Sequence, residues 1–185
     1  VVIGSVAVAW AFRDVSQTTT VATKDIDLLL HPAVAAVATA RSIGEGLLQA
    51  GWEPQYGEGR AAGTSSTADD DLPVLRVAPP DRASGWFIEL LSLPPPGQAR
   101  RRQFVRFETN RGHFGLPSFR YLPIAVRDAD ETPFGLRVAR PEFMALAHLI
   151  EHADPDRTPV SSLPGRPPRF VKDIVKRQKH FGVVR

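Results

Sequence analysis

The sequence has no cysteine among its 185 residues. This absence excludes disulfides, thiolate metal sites and cysteine nucleophiles, and it fits a cytoplasmic protein. No apolar run approaches the roughly 20 residues that a membrane span needs. The pattern of a secretory signal, a basic segment followed by an apolar segment and a cleavage site, is also missing. We therefore expect a cytoplasmic protein that has no membrane partner.

Several catalytic signatures are missing as well. The five histidines lack metal-ligand spacing, and the sequence contains no Walker-type motif, no Ser-His-Asp pattern and no internal repeat. The net charge of +3 is modest, but it is unevenly distributed. Arg100–Arg102 and residues 166–185 are basic, whereas Asp69–Asp71 is acidic. Basic clusters attract partners that carry phosphate, although most such runs are simply solvated surface.

The stretch that carries the clearest chemical signal is 23–30, Thr-Lys-Asp-Ile-Asp-Leu-Leu-Leu. Its apolar residues predict a short β-strand that follows a polar turn. Because side chains two positions apart on a strand point to the same face, Asp25 and Asp27 project together. Two adjacent carboxylates repel each other unless a cation lies between them, and oxygen ligands suit a hard cation such as Mg²⁺. The alternative is a strand that begins with two solvated carboxylates.

Two further segments support a site. Residues 1–12 predict a short strand, a Gly4-Ser5 turn and a buried helix, an arrangement that presents free backbone N–H groups to an anion. An ordinary turn with a serine cap is the alternative. Residues 86–91 predict an apolar strand with Glu89 at its centre. A carboxylate in that position needs a cationic partner if it is buried; otherwise it belongs to an edge strand and faces solvent.

The remaining pattern predicts a mixed α+β or α/β fold, in which helices pack on a mixed β-sheet and a helical segment follows at the C-terminus. We expect helices over 32–50, 141–152 and 169–180. Further strands are expected over 52–56, 74–77, 104–108, 119–126 and 136–139. Loops are expected over 57–71 and over 110–115, where His113 could contact a nucleotide but is more simply an exposed loop residue.

Together these fragments resemble the polymerase-beta-like nucleotidyltransferase superfamily. The apolar strand with Gly4-Ser5 is similar to that family's Gly-Ser turn, Asp25 and Asp27 to its paired metal ligands, and Glu89 to its third carboxylate. The second half resembles, more weakly, the abortive-infection type of bacterial nucleotidyltransferases, some of which are toxins of toxin–antitoxin pairs. The fragments that carry this second resemblance are 138–146 and Lys172-Asp173.

The resemblance implies a nucleotidyltransferase-like domain over 1–139 and a helical extension over 140–185. It implies that Asp25, Asp27 and Glu89 bind Mg²⁺ and carry catalysis, and that Gly4, Ser5 and Lys172 contact the nucleotide. The expected reaction moves a nucleoside monophosphate from a nucleoside triphosphate to a hydroxyl acceptor, such as an RNA end or a protein. An antitoxin is an expected further partner.

The sequence departs from the family pattern in four ways. Nineteen residues separate Ser5 from Asp25, more than is usual in the family. The third acid is Glu89 where Asp is commoner, and His148 stands where the relatives often carry lysine. The chain also begins directly in the first strand, from which we expect that the native N-terminus is missing. These departures keep two alternatives open: an inactive module of the same fold that binds a nucleotide or a partner, and a basic RNA-binding domain whose acids are structural.

Overall fold

The computed structural model describes residues 1–14, 23–31, 33–56, 61–81, 85–97, 100 and 102–153. The nine strands of this part of the chain are β1 (Val2–Ile3), β2 (Asp25–Leu30), β3 (Glu53–Gln55), β4 (Arg76–Ala78), β5 (Phe87–Ser92), β6 (Arg102–Thr109), β7 (Gly112–Phe119), β8 (Asp130–Glu131) and β9 (Arg137–Val138). The α-helices of the same ranges are α1 (Gly4–Ala11), α2 (Ala36–Gln49), α3 (Leu122–Ala125) and α4 (Pro141–Ala153).

Seven of the strands form one mixed sheet in the order β3-β4-β5-β2-β1-β9-β8. The β2–β5 and β1–β9 pairs are parallel, and the other neighbours are antiparallel. Strands β6 and β7 form a separate antiparallel hairpin. The fold is therefore a mixed α+β arrangement, as the sequence predicts in its coarse form.

The two faces of the sheet are covered by different layers. Leu29 and Leu91 belong to one core, which they share with buried residues of α1, α3 and α4. Leu30 and Leu90 are the sequence neighbours of these residues and point to the other face, where they belong to a second core with α2 and the β6–β7 hairpin. Because side chains alternate along a strand, the odd-numbered positions of β2 and β5, which include all three predicted acids, lie on the face covered by α1, α3 and α4.

Many predicted elements are present with small changes at their ends. The helix predicted over 32–50 is α2, preceded by a 3₁₀ turn at Ala33–Ala35. Gly51, just after it, has a φ of 84°, the left-handed conformation with which glycine commonly ends a helix. The helix predicted over 141–152 is α4, which has Pro141 in its first position.

The prediction for residues 110–126 is wrong. The expected loop after Asn110 is a tight turn, and Gly112–Phe119 forms β7 along the full length of β6. The strand expected over 119–126 is instead the end of β7 followed by α3, with Pro123 in the first turn of that helix. Glycine and Pro117 within β7 hid its alternation, because both residues are typically depleted in strands.

The helix α4 packs on α1 and α3, and its Met144 and Ala147 lie in the same core as Val2 and Ile3. The predicted helix over 169–180, with Lys172, lies outside the described residues, so the proposed division of the chain at residue 140 stays a prediction. In the ranges given above, no helix has both the length and the apolar character needed to cross a membrane.

Candidate functional site

The strand register places the predicted acids side by side. Asp27 of β2 is the direct parallel partner of Glu89 of β5, and Asp25 lies two positions before Asp27 on the same face. Neighbouring strands lie about 4.8 Å apart, so Asp27 and Glu89 project as a pair from adjacent strands. Alternation along β2 predicts that Asp25 and Asp27 share a face, and the register of β2 with β5 places Glu89 on that face as well.

The first turn of α1 meets these acids on the same face of the sheet. Strand β1 runs antiparallel to β2, and Ile3 at its end pairs with Asp27. Gly4 follows with a φ of 73°. A Cβ atom on Gly4 would lie 2.7 Å from Oδ2 of Asp27. Glycine is thus required both by the backbone conformation and by the closeness of the Asp27 carboxylate.

Asp25 is fixed by a neighbouring hydroxyl. The Thr23 hydroxyl donates a hydrogen bond to Oδ1 of Asp25 at 2.5 Å, and the backbone N–H of Phe87 donates to the Lys24 carbonyl at 2.8 Å. The second bond extends the β2–β5 pairing by one residue and holds the start of β2 in place. Asp25 is exposed, whereas Asp27 is half-buried.

Glu89 has a partner that the sequence did not predict. Arg76, its direct neighbour on the antiparallel strand β4, donates a hydrogen bond from Nε to Oε2 of Glu89 at 2.7 Å. The Glu89 side chain is only 14% exposed and the Arg76 side chain 45%. The isolated arginine in the run Val74-Leu75-Arg76-Val77 was the available signal, but periodicity does not reveal which strands are neighbours.

The three acids, Gly4 and Arg76 line one cavity of about 340 Å³ between the sheet, α3 and α4. Its polar lining includes four carboxylates, those of Asp25, Asp27, Glu89 and Glu151, and the guanidinium of Arg76. The excess of carboxylates makes it attractive to cations. The other lining residues are Ile3, Gly4, Leu91, Phe119, Tyr121, Leu122, Ala125, Met144, Ala147 and His148.

The donor chemistry at Asp25 and Asp27 fits a hard divalent cation, because carboxylate oxygens are the ligands such ions take. The absence of a Cβ at Gly4 lets the Asp27 carboxylate lie against the start of α1. However, no group of three or more His, Cys, Asp or Glu side chains in the described ranges is placed to hold a metal ion together. Glu89 is the predicted third ligand, and it is engaged by Arg76 instead.

The helix α4 contributes a further polar pair, which the sequence suggested only in part. Nδ1 of His148 lies 3.9 Å from Oε2 of Glu151, one helical turn away. Both side chains line the cavity. The sequence singled out His148 because it replaces a lysine of the resembling family, but it gave no reason to place Glu151 in the site.

The remaining predicted nucleotide contacts stay predictions. Ser5 follows Gly4 in the first turn of α1, and the structure does not test its contact with a phosphate. Lys172 lies outside the described residues. His113, considered in the sequence as a loop residue, lies in β7 and exchanges two backbone hydrogen bonds with Gly63; its strand belongs to the layer on the opposite face of the sheet.

Comparisons of the chain with protein-family models, with curated proteins and with solved structures return no match.

Proposed function

We propose that this protein is a divalent-metal-dependent nucleotidyltransferase, which moves a nucleoside monophosphate from a nucleoside triphosphate to a hydroxyl acceptor. The observation that carries the proposal is the register of β2 and β5, which puts Asp25, Asp27 and Glu89 on one face beside the N-terminus of α1. The same juxtaposition of a Gly-Ser turn, paired aspartates and a third acid underlies the resemblance to the polymerase-beta-like superfamily.

In this proposal each residue has a defined task. Asp25 and Asp27 would hold the cation, which would neutralise charge at the phosphates and lower the pKa of the attacking hydroxyl. The hydroxyl oxygen would bond to the α-phosphorus while the bond to the β-phosphate oxygen breaks, so that pyrophosphate leaves and the hydroxyl proton passes to water. The start of α1 would face the phosphate oxygens, because the N-terminus of a helix attracts anions. Positioning and charge neutralisation account for most of the lowering of the barrier. The aromatic rings of Phe119 and Tyr121 line the same cavity and offer apolar surface to the nucleotide.

A labelling experiment tests this function. The full chain is incubated with each α-labelled nucleoside triphosphate, Mg²⁺, and either total RNA or total protein. We expect label transfer that falls on the order of a hundredfold or more in Asp27→Asn. The matched control is Asp130→Asn, because Asp130 is an exposed aspartate in β8 that does not line the cavity. Absence of transfer by the unaltered protein to any acceptor would reject the proposal.

A second candidate function is favoured by the Arg76–Glu89 ion pair. A site whose third acid is engaged by arginine fits a module that binds a nucleotide without transferring it. Calorimetry separates the two candidates. Nucleoside triphosphate binding that is indifferent to Mg²⁺, and unchanged in the Asp25→Asn/Asp27→Asn variant, would favour the binding module. Binding that requires both Mg²⁺ and the aspartates would favour the enzyme.

The acceptor and the partners belong to the same proposal. An RNA end or a protein side chain supplies the hydroxyl, and an antitoxin is the regulatory partner suggested by the weaker resemblance in the second half. If RNA is the acceptor, transfer should weaken steeply as salt rises, because contacts to phosphates release counterions.

A further inference from the structure

The Arg76–Glu89 pair belongs to a continuous row of side chains across three strands. Arg76 of β4 is the partner of Glu89, and Glu89 is in turn the partner of Asp27 of β2. Direct cross-strand partners project to the same face. The row therefore runs from guanidinium to carboxylate to carboxylate, and all three side chains line one cavity.

The guanidinium is held in place by two contacts. Nε of Arg76 lies 2.7 Å from Oε2 of Glu89, and the guanidinium carbon lies 5.1 Å from the centre of the Phe87 ring. Phe87 is two positions before Glu89 on the same face of β5. The ring and the carboxylate together orient Arg76 towards Glu89, since a cation is attracted both to an aromatic face and to a carboxylate.

Glu89 therefore lies between the guanidinium of Arg76 on one side and the carboxylate of Asp27 on the other. The proposed cation would bind on the second side, beside Asp25 and Asp27. If Glu89 joined the cation as its third ligand, a guanidinium bound to the same carboxylate would lie within a few ångströms of a divalent ion and would be repelled by it.

We propose that Arg76 and the divalent cation compete for Glu89, so that the guanidinium holds the third carboxylate until the cation takes it. This inference depends on the proposed function, because it assumes that a cation binds at Asp25 and Asp27. It makes Arg76 a positioning residue that sets the affinity of the site for metal. It also accounts for three acids on one face that do not form a three-ligand group in the described residues.

The test measures binding of Mn²⁺ alone to the full chain, by electron paramagnetic resonance of the free ion. We expect Arg76→Gln to tighten binding about tenfold, which corresponds to the loss of one charge-assisted hydrogen bond in competition with the metal. Arg76→Lys keeps the charge but loses the Nε donor, so it should give an intermediate affinity. Glu89→Gln should weaken binding.

The double variant Arg76→Gln/Glu89→Gln distinguishes competition for Glu89 from direct repulsion between the Arg76 charge and the metal ion. If Arg76 acts through Glu89, Arg76→Gln should change the affinity by less than about twofold once Glu89 is replaced. An equal tightening in both backgrounds would overturn the proposal, because Arg76 would then act by repulsion alone. No tightening in Arg76→Gln would overturn it as well.

Two controls separate this inference from the proposed function. Arg41→Gln removes a guanidinium from a comparable ion pair, Arg41–Glu108 at 2.9 Å, which does not line the cavity; it should leave Mn²⁺ affinity unchanged. Asp27→Asn should abolish binding in every background. Retained binding in Asp27→Asn would reject the metal site itself, whereas loss in Asp27→Asn with no response to Arg76→Gln would reject only the competition.

Discussion

Gly4 is the residue at which the backbone and the candidate site constrain each other most directly. Its φ of 73° lies in the region that glycine adopts without strain. The space that a Cβ would fill is closed by Oδ2 of Asp27 at 2.7 Å. Any side chain at this position would therefore push the Asp27 carboxylate away or shift the start of α1.

We expect Gly4→Ala to lower the free energy of unfolding by about 2–3 kcal/mol, of which about 1–2 kcal/mol comes from the left-handed backbone. The matched control is Gly135→Ala. Gly135 has nearly the same φ, 72°, but no atom lies within 4 Å of its added Cβ. Urea denaturation of both variants gives the comparison. Equal destabilisation of the two variants would show that the contact with Asp27 contributes nothing.

Which acids share a face within one strand could be predicted from the sequence, because it depends on local geometry. Asp25 and Asp27 share a face through the two-residue period of a strand, and so do Glu89 and Leu91. The pairing of β2 with β5, and of β5 with β4, is a long-range property that one sequence does not contain. For that reason Arg76, which meets Glu89 only through the pairing of β4 with β5, was missed.

The β6–β7 hairpin is a second case in which long-range contacts, rather than the local sequence pattern, determine the structure. Its two strands pair over eight positions, from Arg102↔Phe119 to Thr109↔Gly112. The sequence predicted part of β6, because Phe104, Val105 and Phe107 stand out as apolar strand residues. It did not predict β7, in which Gly112, Gly115 and Pro117 interrupt the apolar pattern. Contacts with the second core, rather than the intrinsic strand propensity of its residues, hold β7 in an extended conformation.

The hairpin also contributes large buried side chains to the second core, on the face of the sheet opposite the candidate site. Phe114 is fully buried and contacts the rings of Phe107, with centroids 5.8 Å apart, and Tyr56, with centroids 6.3 Å apart. We expect Phe114→Ala to lower the free energy of unfolding by about 3–5 kcal/mol, because the cavity it leaves is lined by rings that cannot collapse fully.

Phe134 provides the control for this prediction. It is 76% exposed and touches Trp10 at its edge, so Phe134→Ala should change stability by about 0.5 kcal/mol or less. Denaturation curves followed by tryptophan fluorescence measure both variants. A small effect of Phe114→Ala would mean that the hairpin is not part of the cooperative unit formed by the seven-stranded sheet.

The fold concentrates carboxylates on one face of the sheet, at the central strands β2 and β5. This concentration affects the stability of the protein. Asp27 lies beside Glu89 on the neighbouring strand and near Asp25 on its own. Arg76 balances part of that charge through Glu89. Like charges in neighbouring positions oppose folding. Without a bound cation, repulsion among these carboxylates should therefore lower the free energy of unfolding.

We therefore expect Asp27→Asn to stabilise the metal-free protein by about 0.5–1 kcal/mol, since it removes a repelled charge while keeping the shape of the side chain. The unaltered protein should gain about 2.7 kcal/mol at a Mg²⁺ concentration one hundred times the dissociation constant. Asp27→Asn should not gain this stabilisation. Thermal unfolding with and without Mg²⁺ measures both effects, and Asp130→Asn should behave as the unaltered protein does. Destabilisation of the metal-free protein by Asp27→Asn would show that Asp27 is held by favourable contacts, and that no cation is needed to offset the acids of the cavity.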